Sequence, residues 1–174
     1  MELTIITPVF RQHNLQIIAN TIPDNITWLC VFDIMVSNNI PNKAKVLEVE
    51  LVKSNWGVFK VNEALKMIKD GHIYILDDDT VLHENFDTLL SLNSGFDFIH
   101  FNQNTKEGRK RTGGEVKRGK IDIGNFIVSR ELIGNTFLSE DDTMPDGLWA
   151  EQLYKKCKKP LYLNRTFSIY NYLR

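Results

Sequence analysis

Short apolar runs alternate along this chain with segments of helical spacing, and this alternation limits the fold more than any other feature. The run Thr27–Met35 is almost continuously apolar and carries one carboxylate, Asp33, which is typical of a strand buried on both faces of a parallel sheet. The order of the runs predicts an α/β fold with a mostly parallel central sheet flanked by helices. The predicted strands are Leu3–Phe10, Thr27–Met35, Lys45–Val52, His72–Leu76, Phe96–Phe101 and Lys120–Val128, and the predicted helices are Asn14–Asn20, Phe59–Lys69 and Gly147–Lys156.

Composition excludes several classes of protein. The 174 residues suffice for one packed core, and the 21 lysines and arginines nearly balance the 22 aspartates and glutamates. A net charge of −1 gives no field that would attract nucleic acid. The start Met1–Pro8 lacks the positive region of a signal peptide, and no apolar run reaches the ~18 residues that span a bilayer. We therefore predict a protein without a transmembrane segment, in the cytoplasm or at the cytoplasmic membrane surface.

Three adjacent aspartates, Asp77, Asp78 and Asp79, follow the apolar run His72–Leu76. Each carboxylate raises the cost of ionising the next unless a cation neutralises them. Mn²⁺ or Mg²⁺ prefers such hard oxygen ligands and takes one or two carboxylates, with water and phosphate oxygens completing its shell. If the extended backbone continues, Asp77 and Asp79 point to one side and Asp78 to the other. The triplet predicts a divalent-metal site with Asp79 and Asp77 as ligands.

Two other interpretations of the triplet stay open at this point. The segment Ile75–Val81 also resembles the nucleophile motif of haloacid-dehalogenase-like phosphatases, in which Asp77 would be the nucleophile and Asp79 an acid/base. In that family the motif normally follows the first strand of the core, whereas here 76 residues precede it. The triplet could also be a solvated turn. Its context has to decide between the metal site, the phosphatase and the turn.

The segments around the triplet together resemble the family 2-like glycosyltransferases of GT-A fold along nearly the whole chain. Leu3–Arg11 is similar to the first strand of that family and its threonine-proline turn, and Asp33 to the carboxylate that accepts a hydrogen bond from a uracil-type base. Asp77–Asp79 takes the place of the Asp-x-Asp motif. Further matches are Ser54–Gly57 with Asn62–Leu65, Gly124–Arg130, and Asp146 with Leu153, although Pro145 and Gln152 replace the usual glutamate and arginine.

The resemblance implies a metal-dependent, inverting transferase that moves a sugar from a nucleotide-diphospho-sugar, a UDP-sugar, to an acceptor hydroxyl, with Mn²⁺ or Mg²⁺ as cofactor. It makes Asp146 the catalytic base, with Glu151, Asp141 and Asp142 as substitutes. Residues 1–80 would form the nucleotide-binding half of one domain, and residues 81–174 the acceptor and sugar half. The residues implied for the donor are Thr7, Pro8, Phe10, Arg11, Asp33, Asn55, Gly57, Asn62, Asp77 and Asp78, and those for the acceptor side are Asn125, Trp149 and Glu151.

Some aspects of function are not decided by these motifs. The acceptor could be a glycan, a lipid-linked molecule or a protein. A degenerate domain that binds sugar nucleotides without catalysis is also compatible with them. The polar, basic segment Lys106–Lys120 predicts a mobile loop, which near a diphosphate could close over the leaving group.

Overall fold

A computed structural model describes residues 1–33, 36, 39–50, 57–92 and 95–174. Within these residues, nine strands form one sheet and five α-helices pack against it. The strands are β1 Leu3–Pro8, β2 Thr27–Phe32, β3 Ala44–Glu48, β4 His72–Ile75, β5 Val81–Leu82, β6 Phe98–Thr105, β7 Lys110–Arg111, β8 Phe126–Ser129 and β9 Pro160–Tyr170. The helices are α1 Leu15–Ala19, α2 Val58–Met67, α3 Asp87–Leu90, α4 Arg130–Ile133 and α5 Pro145–Lys156.

The sheet is parallel in its first half and mixed in its second. Its order is β3-β2-β1-β4-β8-β6-β9-β5, with β7 paired to β6. The first four strands in that order are parallel, and Thr4 of β1 lies opposite Thr27 on one side and Ile73 on the other. Beyond them, β8 runs antiparallel to both β4 and β6. The predicted α/β fold is confirmed, whereas the mostly parallel sheet holds only for the first half.

Apolar side chains fill both faces of the sheet, which is why the central strands carry nearly continuous apolar runs. Helix α2 begins directly after Gly57, whose φ of +83° suits a residue without a Cβ. Helix α5 has Pro145 in its first turn, where the missing amide donor costs nothing. Buried residues of β1, β2 and α1 contribute to one core, and those of α2, β8 and α5 to the other.

The region before β8 departs from the predicted strand Lys120–Val128. Ile123–Asn125 forms a 3₁₀ turn, and β8 starts only at Phe126. A capping box causes the difference: the Asp122 side chain accepts from the Gly124 N–H, and Asn125 Oδ1 accepts from the Asp122 N–H at 3.2 Å. Such local side-chain bonds compete with a strand ladder for the backbone.

Two further differences concern the second half. Strand β9 was not predicted, although it pairs with β6 over much of its length. The segment Lys106–Lys120, predicted as a loop, contains β7, which pairs with the end of β6. The predicted strand ends Met35 and Val52 lie outside the described residues. None of the helices in the described part of the chain combines the length and apolar character needed to cross a membrane.

This topology gathers polar residues at one edge of the sheet. Because β1, β2 and β4 are parallel, the residues that follow them, Phe10, Asp33 and Asp77, emerge at the same edge. The antiparallel β8 begins there as well, and the Tyr74 hydroxyl donates to the Gly124 carbonyl at 3.0 Å. Loops from both halves of the sheet therefore meet at this edge.

Candidate active site

A cavity of about 820 Å³ opens where these loops meet, a size within the range of small-molecule sites. Its lining combines apolar side chains from α2 and β4 with five carboxylates and four cationic side chains. The charged lining residues are Asp77, Asp78, Asp79, Asp122, Asp146, Arg11, Arg111, Lys120 and Arg174.

Asp78 holds the turn that follows β1. Its buried carboxylate accepts hydrogen bonds from the backbone N–H groups of Phe10 at 2.6 Å and Arg11 at 2.5 Å, and from Arg11 Nη1 at 2.7 Å. The Asn14 side chain donates to the Asp78 carbonyl at 2.8 Å. Asp78 thus fixes the positions of Phe10 and Arg11 at the cavity wall, and its own oxygens are occupied by protein donors.

Two guanidinium groups neutralise Asp79. Its Oδ2 accepts from Arg174 Nε at 2.6 Å and lies 3.3 Å from Arg11 Nη1. The Thr80 hydroxyl is 3.3 Å from Oδ1, and the Leu173 N–H donates to the Asp79 carbonyl at 3.0 Å. The buried carboxylate of Asp79 is therefore charge-balanced by the protein itself.

Asp77 and Asp146 lie near other carboxylates, unlike Asp79, which is balanced by two arginines. Burial, followed by the neighbouring carboxylates of Asp122, Asp146, Asp79 and Asp78, raises the pKa of Asp77 well above its usual value. Burial and the charge of Asp122 raise the pKa of Asp146 to about 7. No hydrogen-bond donor in the described part of the chain offsets these effects at either carboxylate. A cation or a proton placed here would relieve this repulsion.

Asp122 and Asp146 are brought to the cavity by separate elements. Arg111 Nη2 donates to Asp122 Oδ2 at 2.6 Å, and the same guanidinium stacks 3.8 Å from the centre of the Tyr170 ring. Asp146 lies in the first turn of α5, where the helix dipole favours a carboxylate. The next residue, Gly147, packs so closely that a Cβ would stand 2.9 Å from the Gly119 nitrogen.

The site fits a divalent cation through its oxygen donors. No group of three or more His, Cys, Asp or Glu side chains in the described ranges forms a metal site by itself. Mg²⁺ and Mn²⁺ at nucleotide sites nevertheless need only one or two carboxylates, because phosphates and water supply the remaining ligands. Asp77 and Asp79 both line the cavity, and the crowding of charge around Asp77 favours a cation.

The predicted donor residues outside the aspartate triplet differ in where they lie: some line the cavity, and others bond within the protein. Thr7 is buried and accepts from Trp28 Nε1 at 2.9 Å, and Asn62 exchanges two hydrogen bonds of 3.0 Å with the Leu138 backbone. Asn55 lies outside the described residues. Pro8, Phe10, Arg11 and Gly57 line the cavity, and Asp33 forms an ion pair with Lys60 Nζ at 2.6 Å.

The predicted acceptor residues support the wall of the cavity. The Asn125 amide donates to the Phe101 carbonyl at 3.0 Å, and Trp149 Nε1 donates to the Thr136 carbonyl at 2.8 Å. Both side chains are buried. Glu151 accepts from the Arg118 N–H at 3.1 Å, so it holds the segment that carries the lining residues Gly119 and Lys120. These contacts are structural, and they leave Asp146 as the predicted residue of this side that lines the cavity.

Sequence reasoning missed several residues of the site. Asp122 had a recognisable signal, because an aspartate two residues before a glycine is typical of a local turn. Tyr170 and Arg174 had none, since they reach the cavity only through β9, which pairs with a strand some 60 residues earlier. The missed residues are Lys60, Asp122, Tyr170 and Arg174. Arg111 and Lys120 also line the cavity, and they belong to the basic segment Lys106–Lys120, for which a role over a leaving diphosphate had been raised.

The sequence matches no protein-family model and no curated protein. Solved structures, in contrast, resemble nearly all of it. Residues 1–349 of S. aureus TarS match 97% of the chain with a TM-score of 0.76 at 16% identity. The mannosyltransferase PcManGT from Pyrobaculum calidifontis, in complex with GDP-Man and Mn²⁺, matches 97% with a TM-score of 0.69 at 11% identity.

The chain has the GT-A glycosyltransferase fold. The resemblance predicted from the motifs is thereby confirmed for the architecture. The structure of TarS 1–349 in complex with UDP-GlcNAc has the same GT-A fold, with a TM-score of 0.74 at 14% identity over 97% of the chain. The chain spans about 60% of the length of TarS 1–349 and 56% of PcManGT.

Proposed function

We propose that this protein is a glycosyltransferase that moves a sugar from a UDP-sugar to an acceptor hydroxyl, with a divalent cation and inversion at the sugar carbon. The observation that carries the proposal is the convergence of Asp77, Asp79, Asp122 and Asp146 on one cavity at the carboxyl edge of a GT-A sheet. In α/β sheets, ligands bind at this edge.

Two kinds of support point to a nucleotide-sugar donor. Solved structures with this fold carry UDP-GlcNAc, UDP or GDP-Man with Mn²⁺. In this chain Phe10, Arg11 and Gly57 line the cavity next to the aspartates, which provides an aromatic ring and a guanidinium for a nucleoside diphosphate. A transferase needs both parts of such a donor to be held.

Asp79 and Asp77 would hold Mn²⁺ or Mg²⁺, and the bound cation would supply Lewis-acid stabilisation of the charge on the departing diphosphate. Glycosyl transfer develops this charge as the bond to the leaving phosphate breaks. Arg11, which already contacts Asp78 and Asp79, would add a fixed positive charge beside the same group. The four cationic side chains of the lining make the cavity suitable for an anionic leaving group.

Asp146 is the residue that we assign as the base. A base has to be partly ionised at the working pH and still bind a proton well, and a pKa of about 7 meets both requirements near neutrality. The cause of this pKa is built into the fold, because α5 presents Asp146 to the cavity near Asp122. In the proposed reaction Asp146 takes the proton from the acceptor hydroxyl as that oxygen attacks the sugar.

The phosphatase alternative has less support from the same geometry. In that family the nucleophile motif normally follows the first strand of the core, whereas here it follows β4, the fourth strand along the chain, as the sequence had indicated.

The substitution Asp146→Asn tests the proposal. We expect this variant to bind UDP-sugars as the wild-type protein does, because the assigned role of Asp146 is toward the acceptor. Its transfer rate should fall by roughly 10²–10⁴-fold, the usual contribution of a positioned base. Calorimetry with UDP-sugars in the presence of Mn²⁺ measures binding, and product formation with a panel of acceptors measures transfer.

Asp70→Asn is the matched control, because Asp70 is exposed and is not among the described residues that line the cavity. It should retain both binding and transfer. Wild-type turnover in the Asp146→Asn protein would remove Asp146 from the mechanism, and failure of the wild-type protein to bind any UDP-sugar with Mn²⁺ would contradict the proposed function as a whole.

A further inference from the structure

We propose that Lys60 sets the nucleobase specificity of this site: it occupies one carboxylate oxygen of Asp33 and leaves the other to accept the single imide N–H of a uracil base. Guanine, which offers two donors side by side, is then disfavoured. The inference rests on the proposed function, since it concerns the base of the donor nucleotide.

The burial of Lys60 is the first observation. Only 2% of the Lys60 side chain is exposed, although a lysine in a helix such as α2 usually keeps its charged end in water. Its ammonium lies 2.6 Å from Asp33 Oδ1, donates to the Val9 carbonyl at 2.6 Å and stands 3.6 Å from the centre of the Phe10 ring. A buried charge is costly unless it is paired, and these three contacts provide the pairing.

As a result, the two carboxylate oxygens of Asp33 have different surroundings. It follows β2 at the carboxyl edge of the sheet, and 14% of its side chain is exposed. Oδ1 is shielded from solvent, and its contact with Lys60 is an ion pair without the alignment of a hydrogen bond. The ammonium therefore occupies the surroundings of Oδ1, and Oδ2 is the oxygen that we assign to a ligand.

Phe10 connects this pair to the cavity. It lines the cavity and is 49% exposed, which is unusual for a phenylalanine beside a packed core. The Lys60 ammonium lies over one face of this ring and also contacts Asp33, so Lys60 ties the position of a cavity residue to that of the carboxylate.

The chemistry of the bases then separates them. Uracil presents one N–H between two carbonyl groups, so one carboxylate oxygen satisfies its only donor on that edge. Guanine presents its ring N–H beside an exocyclic amine, and the pair needs both oxygens of a carboxylate. With Oδ1 held by Lys60, the amine of guanine would be buried without a partner, and an unpaired buried donor is penalised.

Three nucleotides test the inference by calorimetry with Mn²⁺ present: UDP, GDP and inosine diphosphate, which is GDP without the exocyclic amine. We expect the wild-type protein to bind UDP at least about tenfold more tightly than GDP, and to bind inosine diphosphate at least about fivefold more tightly than GDP, because inosine lacks the amine that is left without a partner. In Lys60→Met both oxygens of Asp33 become available, so GDP should gain about tenfold over inosine diphosphate. Lys66→Met, an exposed lysine of the same helix, should behave as wild type.

A wild-type protein that binds GDP as tightly as inosine diphosphate, or more tightly, would overturn the inference, and this measurement needs no variant. If Lys60→Met folds and keeps the wild-type ratio of GDP to inosine diphosphate affinity, Lys60 does not restrict Asp33. A wild-type protein that binds none of the three nucleotides would overturn the proposed function itself. If the wild-type protein binds UDP tightly and Lys60→Met keeps the wild-type ratio of GDP to inosine diphosphate affinity, the proposed function stands and this inference fails.

Discussion

The charge of Asp79 is balanced by the guanidinium groups of Arg174 and Arg11. A divalent cation that binds Asp79 through Oδ2 must share or displace these guanidinium groups, because both already contact that oxygen. Arg174 is half-exposed and so can leave at low cost, whereas Arg11 is also held by Asp78. The resident arginine and the cation are therefore competitors for one oxygen.

We expect Arg174→Gln to bind Mn²⁺ more tightly than the wild-type protein, by roughly tenfold, when no nucleotide is present. The reason is the loss of the competing positive charge at Asp79. Calorimetric titration with MnCl₂ measures the effect, and Arg165→Gln is the control, because Arg165 is an exposed arginine of β9. Equal Mn²⁺ affinities of the wild-type and Arg174→Gln proteins would show that Arg174 does not compete.

The pKa of Asp146 predicts the pH dependence of transfer. A base works in its ionised form, so kcat/KM should fall as the pH drops below about 7, the pKa that burial and Asp122 give to Asp146. Asp122→Asn removes one of these causes and should move the acidic limb to lower pH. Glu115→Gln, at an exposed position, should leave the limb in place. An Asp122→Asn profile that coincides with the wild-type profile would contradict this assignment.

At the scale of elements, α5 and the segment before β8 depend on each other. The helix presents Asp146 to the cavity, and its Gly147 lies against the Gly119 backbone with no room for a Cβ. The Arg118 N–H, one residue earlier, donates to Glu151 on the next turn of the same helix. Two contacts thus set the position of the helix start relative to the loop that lines the cavity.

Gly147→Ala should reduce transfer and stability, even though alanine favours a helix by about 1 kcal/mol over glycine. The added Cβ would stand 2.9 Å from Gly119 nitrogen, so either the helix start or the loop must move. We expect a cost of about 1–3 kcal/mol in the free energy of unfolding, measured by urea denaturation. Gln152→Ala, at an exposed position of α5, tests helix propensity alone and should not destabilise.

The sequence predicted those elements whose signals are local. The apolar runs of β1, β2 and β4 were recognisable, and so was Gly71, the glycine after the α2 region. The carboxylates that follow these strands could therefore be placed at one edge of the sheet. Strand β9 could not be found in this way, because the apolar environment of its second half comes from its partners β6 and β5, which are both distant in sequence. The direction of β8 is likewise a property of the assembled sheet.

The site, like the fold, was predictable only where its signals are local in the sequence. Asp77, Asp79 and Asp146 came from motifs and line the cavity. Lys60 could not have been predicted, since a lysine in a helix is expected at the surface, and only the packing of Asp33 and Phe10 around it explains its burial. Charge balance at a site depends on such long-range neighbours, which single-sequence patterns do not report.

At the scale of the whole molecule, Asn62 links α2 to the segment that precedes α5. Its side chain accepts from the Leu138 N–H and donates to the Leu138 carbonyl, each at 3.0 Å, across 76 positions of the sequence. Leu138 itself lines the cavity. A residue that the motifs had placed beside the nucleotide therefore joins two distant parts of the fold.

Asn62→Ala should lower the free energy of unfolding by about 1–3 kcal/mol, because it leaves the buried N–H and C=O of Leu138 without partners. Urea denaturation measures the loss, and Asn135→Ala, an exposed asparagine of the same region, is the control. A stability equal to that of the wild-type protein would mean that the Leu138 backbone finds other partners, and the link would then be replaceable.

The late position of β9 in the sequence affects the order in which the site is completed during synthesis. Strands β1 to β4 are parallel neighbours and leave the ribosome first, so they can pair while the rest of the chain is still being made. Asp79 receives the Leu173 N–H and the Arg174 guanidinium only after β9 has emerged and paired with β6. Until then the aspartate triplet has Arg11 but not Arg174 beside it, and a nascent chain would meet the Mg²⁺ around the ribosome before it meets the second of its own competing cations.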